Sequence, residues 1–303
     1  MLEKYKNHIL LHAIVFLWGF TGILGKLIHL DFYHIVWNRL LFALIGLGVY
    51  FILIKKSIRV NSFKTLLKLM GVGLLVAVHW LTFYKSIQLS TASLGILCLS
   101  TATLHVTWLN PIVMKQKFSK IEFLLGLLVI GGIYVVTNDF DPTEFEALAY
   151  GLFSGLLAAL FSVFNGKLVK ETSSSTMTFY ELFTGFVFIT IIFLFQGKAD
   201  STLFEMTTSD LLWLLFLGLI CTSFAFIASI NAIKHLGAFT VTLSINLEPV
   251  YTMVLAIFIL QENEKLGVSF YTGALIIILV VAANPIIKTY LKKNKKRVDT
   301  QRA

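Results

Sequence analysis

Ten apolar runs follow one another along this 303-residue chain, at His8–Ile28, Tyr33–Ile54, Leu66–Leu89, Ala92–Met114, Ile121–Asn138, Ala147–Val169, Met177–Gln196, Leu211–Ile233, Ala238–Leu260 and Leu266–Ile287. A helix of about 20 apolar residues crosses the hydrocarbon core of a bilayer, and lipid offers the backbone no partner outside that helix. The expected fold class is therefore an all-α membrane protein with ten transmembrane helices. Hydrophobic residues make up 57% of the chain and charged residues only 14%, which excludes an ordinary soluble domain. The polar stretches between runs are too short to fold alone, so any chemistry belongs inside the bundle.

Charge orients the runs. Lys55, Lys56, Arg59, Lys64, Lys68, Lys115, Lys117, Lys120, Lys167, Lys170 and Lys234 fall in alternate loops, together with Lys4, Lys6 and the tail from Lys288 to Arg302. The intervening loops carry Asp31, Asp139, Asp141, Glu144, Glu146, Asp200, Glu205, Asp210, Glu262 and Glu264. Basic loops stay cytoplasmic, which places both termini inside and the chain in the cell membrane as a multi-pass protein. The net charge of +9 comes from those loops and the tail, so it points to anionic lipid at the tail and not to nucleic acid. Lys4 and Lys6 precede a full span with no small-residue cleavage pattern, so the first helix is expected to stay attached. Cys98 and Cys221 lie inside runs, where thiols act as small apolar fillers.

The halves are weakly duplicated. Gly25-Lys26-Leu27 matches Gly166-Lys167-Leu168, Trp37-Asn38-Arg39-Leu40 matches Phe179-Tyr180-Glu181-Leu182, and Ser86-Ile87-Gln88 matches Ala232-Ile233-Lys234. Gly126 to Asn138 matches Gly273 to Asn284, and Lys115-Gln116-Lys117 corresponds to Gln261-Glu262-Asn263 with the charge reversed. An odd number of spans per unit turns the second copy over, giving two inverted five-helix repeats that can exchange two packings around a central site. The expected units are residues 1–142, residues 143–287 and a basic cytoplasmic tail at 288–303.

In this layout the chain resembles the EamA-type transporters of the drug/metabolite transporter superfamily over nearly its whole length. The resemblance rests on Trp18-Gly19, Arg39-Leu40-Leu41 and Leu247-Glu248-Pro249-Val250 as well as on the duplication. It departs at Ala102-Thr103, where the family often has proline, and at Gln261-Glu262, where it often has Gly-Glu. The resemblance implies secondary transport, frequently efflux, of amino acids or other small metabolites across a prokaryotic inner membrane, with no cofactor.

Glu248 stands about ten residues into its run, near the midplane, where an ionisable group marks a substrate or ion site. The next residue, Pro249, should free the carbonyl of Ile245 one turn back. An unpartnered carboxyl there would hold a coupling proton or the amine of a solute. Asn246 adds an amide two residues away, with interhelical bonding as its competing role. Ser100, Thr101 and Thr103 occupy the equivalent stretch of the fourth run, where hydroxyls can also satisfy themselves on their own helix.

His79 and Trp80, with Phe83 and Tyr84 one turn on, bring a second proton carrier and rings toward the expected cavity; a single interhelical bond and interface anchoring compete with that role. Trp18 and Asn165 are cavity candidates beside Gly19 and Gly166. Arg39 is read first as a snorkelling or hydrogen-bonded anchor and second as a contact for a substrate carboxylate. Glu181 is read as structural. Asn110-Pro111 either bends the fourth run or ends it. His29, Asp31 and His34 look like metal ligands only superficially, and a solvated loop is the stronger reading.

These features favour a solute carrier that takes a small molecule and is surrounded by membrane lipid. A membrane-embedded enzyme would need His-Glu-x-x-His or Gly-x-Gly-Asp, which the sequence lacks, or paired acids, which the spans lack. A channel would need a continuous polar stripe. Neither alternative has its residues.

Overall fold

The computed structural model describes residues 2–136, 144–236, 241, 244–245, 247–261, 267–280, 282–283 and 286–287. Apart from one short 3-10 turn at Ser201–Phe204, the elements are helices: α1 (Leu2–Leu27), α2 (Phe32–Leu53), α3 (Phe63–Leu89), α4 (Ala92–Leu99), α5 (Ala102–Met114), α6 (Lys120–Val136), α7 (Glu144–Leu168) and α8 (Ser174–Phe195). Then come α9 (Thr208–Leu215), a π-helical segment Phe216–Phe224, α10 (Ala225–Leu236), and α11 (Glu248–Leu255), which ends in a π-helical turn Ala256–Leu260. A last apolar helix, α12, spans Val268–Val280.

Among the described residues, seven helical stretches are long and apolar enough to cross a membrane, and Phe123–Gly132, Glu248–Leu260 and Val268–Val280 are shorter apolar helices. The molecule wears its apolar side chains outward as well as inward. Phe195, Ile52 and Leu53 are 89%, 76% and 76% exposed, whereas Asn38, Arg39, Glu181 and Thr222 are buried. That is the distribution a lipid solvent selects.

Helix starts follow local chemistry. Asp31, Ser62, Thr91, Ser173 and Thr207 each stand just before a helix and accept a bond from its first-turn amides, which satisfies donors that have no partner within the helix. One end of the bundle is tied by Lys56 donating to Ser175 Oγ at 2.8 Å and by Lys68 and Thr65 donating to Glu171 at 2.7 and 2.6 Å. Those donors hold the exposed Glu171 carboxyl below the usual carboxylate range. At the other end, Gln88 spans Leu30 O and Phe32 N, and Asp210 accepts from His29 N at 2.9 Å.

Two runs expected to be single helices are interrupted. The fourth breaks at Ser100-Thr101, while Pro111 lies inside α5 and does not end it. The ninth starts a new helix at Glu248, with Pro249 in the first turn, where its missing N–H costs no bond. The proline therefore sets a helix start and does not free a carbonyl in mid-helix. Asn246 lies outside the described residues, as do residues 237–240 and the tail from 288.

Helix α3 packs along α7 and α8, α7 along α5 and α4, α1 along α11, and the π-helical segment along α2. Small residues permit these approaches. A methyl group at Gly73 would run into the carbonyl oxygen of Glu181, and one at Gly218 would meet the carbonyl oxygen of Arg39 at 3.0 Å. Gly73→Ala must therefore push α3 from α8 and should cost about 1–3 kcal/mol. We expect a clear drop in thermal stability of the detergent-solubilised protein, whereas Gly71→Ala, at a position with no atom in the way, should leave the midpoint unchanged.

Candidate functional site

A cavity of about 80 Å³ lies between elements of both halves of the chain. It has room for about half a dozen waters or a small solute. Trp18 and Thr21 face it from α1, Arg39 from α2, His79, Trp80 and Phe83 from α3, and Leu99 and Ala102 from the break in the fourth run. From the second half come Phe161, Ser162 and Asn165 on α7, Phe226 and Ser229 on α10, and Ile245 and Glu248 at the start of α11.

Arg39 is 3% exposed, so it does not snorkel to a surface. Its Nε donates to Thr222 Oγ1 at 2.7 Å, its Nη1 reaches Tyr84 Oη at 3.4 Å, and its guanidinium lies 3.8 Å from the centre of the Trp80 ring. These contacts fix the plane of the fork against an aromatic face. Thr222 is available because the π-helical segment opens its own ladder: the hydroxyls of Thr222 and Ser223 donate back to Leu217 O and Gly218 O, five residues earlier. Widened helical turns of this kind recur at functional sites.

Glu248 is buried with 5% exposure, and among the described residues no hydrogen bond or ion pair engages it. The charge of Arg39 acts on it through the cavity without a salt bridge between them. A cation and a carboxylate thus share one enclosed space from opposite halves of the chain. Each has hydrogen-bonding capacity left over, so a solute carrying both charges could meet both.

The EamA-like transporter family model matches this chain twice, over residues 6–138 and 146–284. The chain belongs to the EamA-like transporter family. It is 24% identical over 270 residues to an uncharacterized transporter of Archaeoglobus fulgidus, covering 85% of this chain and 90% of that one. An uncharacterized transporter of Clostridium kluyveri is 21% identical over 163 residues, 52% of each chain. A solved crystal structure superimposes with a TM-score of 0.69 at 10% identity, covering 94% of this chain and 98% of its own, a likeness of fold alone. This EamA-like chain is a multi-pass membrane protein and belongs to a family of membrane transporters, whose partners are a small solute and membrane lipid.

Of the candidates read from the sequence of this EamA-like protein, Glu248, Arg39, His79, Trp80 and Trp18 line the cavity, as does Asn165. Trp18 is held there by its Nε1, which donates to Cys221 O at 3.0 Å. His79 Nδ1 donates to Ser154 O at 3.0 Å, and the Ser154 hydroxyl returns a bond to His79 O at 3.0 Å. Its ring is anchored to α7 by one nitrogen and presents the other edge.

Tyr84 stands behind Arg39 and supports it. Thr101 donates to Cys98 O at 2.7 Å and lies against Gly155, while Ser100 is buried at the break. These three do not form the cavity wall. His29 and Asp31 lie between α1 and α2, and His34, expected in the loop, falls in the first turn of α2: Asp31 caps that helix and contacts His34 Nδ1 at 2.6 Å.

Thr222, Thr21, Ser162 and Ser229 were not singled out by the sequence. Thr21 and Ser162 occupy matching places in the duplication that pairs Gly25 with Gly166, a signal present in the sequence but carried by unremarkable residues. Thr222→Val should strand a buried guanidinium N–H and cost about 1.5–3 kcal/mol. Thr222→Ser keeps the hydroxyl and should retain most of that stability. Thermal denaturation of the two purified variants compares them directly.

Proposed function

We propose that this chain is a secondary active transporter that exports amino acids or other small metabolites by alternating access around the Arg39–Glu248 cavity. The single observation that carries the reading is the unpaired cation and carboxylate facing one enclosed space. An amino acid would place its carboxylate on the Arg39 fork and its ammonium on Glu248, with Trp80, Phe161 and Phe226 around its side chain. Thr21, Ser162 and Ser229 supply hydroxyls to the same wall, and Asn246 is proposed to add an amide to it. Glu248 and His79 are the groups we propose for a coupling proton.

The architecture proposed for this mechanism is ten transmembrane helices in two inverted five-helix repeats, residues 1–142 and 143–287, followed by a basic tail at 288–303. Several observations support it. Helix α5 runs from Ala102 to a left-handed Lys115, and the helix from Glu248 runs for the same length to a left-handed Gln261. Leu99 and Ala102 line the cavity from one of these broken runs, and Ile245 and Glu248 from the matching places of the other. The close approach of Gly73 to Glu181 O has its counterpart in Gly218 against Arg39 O. Discontinuous helices paired across a pseudo-two-fold axis at a central site are the structural basis of rocking transporters.

By the positive-inside rule both termini face the cytoplasm of a cell inner membrane, with the basic tail against anionic lipid.

Counterflow in proteoliposomes tests the function. The wild-type protein should accumulate radiolabelled neutral amino acids against an unlabelled internal pool. A carrier trans-stimulates, a channel does not, and an enzyme releases a new species. Glu248→Gln and Arg39→Met each remove a charge-assisted contact of about 1.5–3 kcal/mol and should weaken apparent affinity about 10- to 100-fold. Counterflow of equal affinity in both variants would remove the two charges from the site. Absence of exchange with any amino acid would overturn the substrate assignment.

A further inference from the structure

Ser154 on α7 decides which nitrogen of His79 carries the ring hydrogen. His79 Nδ1 lies 3.0 Å from Ser154 O and 2.8 Å from Ser154 Oγ. The carbonyl can only accept, and the hydroxyl directs its single hydrogen to His79 O at 3.0 Å. Both neighbours of Nδ1 are therefore acceptors, and the hydrogen sits on Nδ1. In the neutral ring Nε2 is then bare, an acceptor with no hydrogen of its own. His79 lines the cavity, and among the described residues no hydrogen bond engages its Nε2.

Two hydroxyls share that condition. Ser162 on α7 and Ser229 on α10 are buried, line the same cavity and have no hydrogen-bond partner among the described residues. Thr21 differs, because it gives its hydrogen to Trp18 O at 2.8 Å. In the empty cavity water meets the three open groups. An apolar side chain displaces that water and leaves them unpaired, whereas a hydroxyl or amide replaces it bond for bond.

The rings do not impose the opposite preference. Trp80 and Phe226 meet at 62° and Phe226 and Phe161 at 46°, so neither contact presents parallel faces for a flat side chain to enter. The Trp80 face is covered by the Arg39 guanidinium at 3.8 Å.

We infer that the cavity selects amino acids whose side chain carries a hydroxyl or an amide over their apolar isosteres, with His79 Nε2 and the Ser162 and Ser229 hydroxyls as the specificity-determining contacts. Nε2 takes a hydrogen from the solute, and either serine gives or takes one. Ser154 acts through His79 as a positioning residue. This selectivity rests on the amino acid reading of the same site, in which Arg39 and Glu248 hold the two charges and the side chain is left to meet the open groups.

Competition counterflow in proteoliposomes compares near-isosteric pairs, threonine with valine and asparagine with leucine. It runs without a proton gradient, so a loss of coupling does not alter it. In the wild type the polar member of each pair should compete at least about tenfold better than the apolar one. His79→Asn keeps an N–H at the δ position for Ser154 O and removes Nε2, while Ser162→Ala and Ser229→Ala remove the hydroxyls. Each should narrow the ratio several-fold, chiefly through weaker competition by the polar member. A purely structural role would weaken both members of a pair together. Should a variant fail to give monodisperse protein, the wild-type ratios and the remaining variants decide. Equal competition within both pairs, or ratios unchanged in all three variants, would overturn the inference and leave the amino acid reading standing. Exchange with no amino acid at all would refute that reading and the selectivity with it.

Discussion

Lipid supplies no hydrogen-bond partners, and that constraint decides where this chain can depart from regular helix. Three departures are packed against protein, whereas the π-helical turn Ala256–Leu260 leaves Phe258 exposed. The break at Ser100-Thr101 is packed on Gly155 of α7, the start of α11 on Gly19 of α1, and the π-helical segment on α2. Hydroxyls repair what the departures expose. Thr101 returns to Cys98 O, Thr222 and Ser223 to the turn before them, and Thr252 donates to Gly19 O at 2.8 Å. Glycine makes the enclosure possible, since side chains at these contacts would separate the helices.

The cavity lies where these irregular elements meet, and its chemistry is asymmetric on a frame that reads as duplicated. Glu248 stands where the other half has Ala102, and Arg39 where it has Glu181. Under the inverted-repeat reading, a common plan of packing provides two interchangeable arrangements, while unlike side chains provide one binding orientation. Symmetry of backbone would govern motion and asymmetry of charge would govern selection.

Much of the fold was legible because a bilayer imposes length and polarity on each span. Run boundaries coincide closely with helix ends at Leu89, Met114 and Leu168, and the caps at Asp31, Ser62 and Thr91 are ordinary sequence signals. The breaks were less legible. Hydropathy is indifferent to hydrogen-bond pattern, so Ala92–Met114 looked continuous and Pro111 drew attention from Ser100-Thr101. Glu248 could be found because it is an ionisable group in an apolar run. For Arg39 only the snorkelling alternative fails, because depth along a helix gives no account of which face a residue occupies, and its neighbours Trp80 and Thr222 are distant in sequence. Thr21, Ser162 and Ser229 were invisible for the same reason: a hydroxyl in a helix has no sequence signature until the opposing wall is known.

The account depends most on Glu248 facing a protein-lined cavity that opens to each side in turn. Substituted-cysteine accessibility tests it directly, with Glu248→Cys placed in a background from which Cys98 and Cys221 have been removed. A membrane-impermeant thiol reagent applied to right-side-out and to inverted vesicles should label that position from both sides, and a transported solute should slow both reactions. Labelling from one side only, or only by a lipid-soluble reagent, would contradict the account.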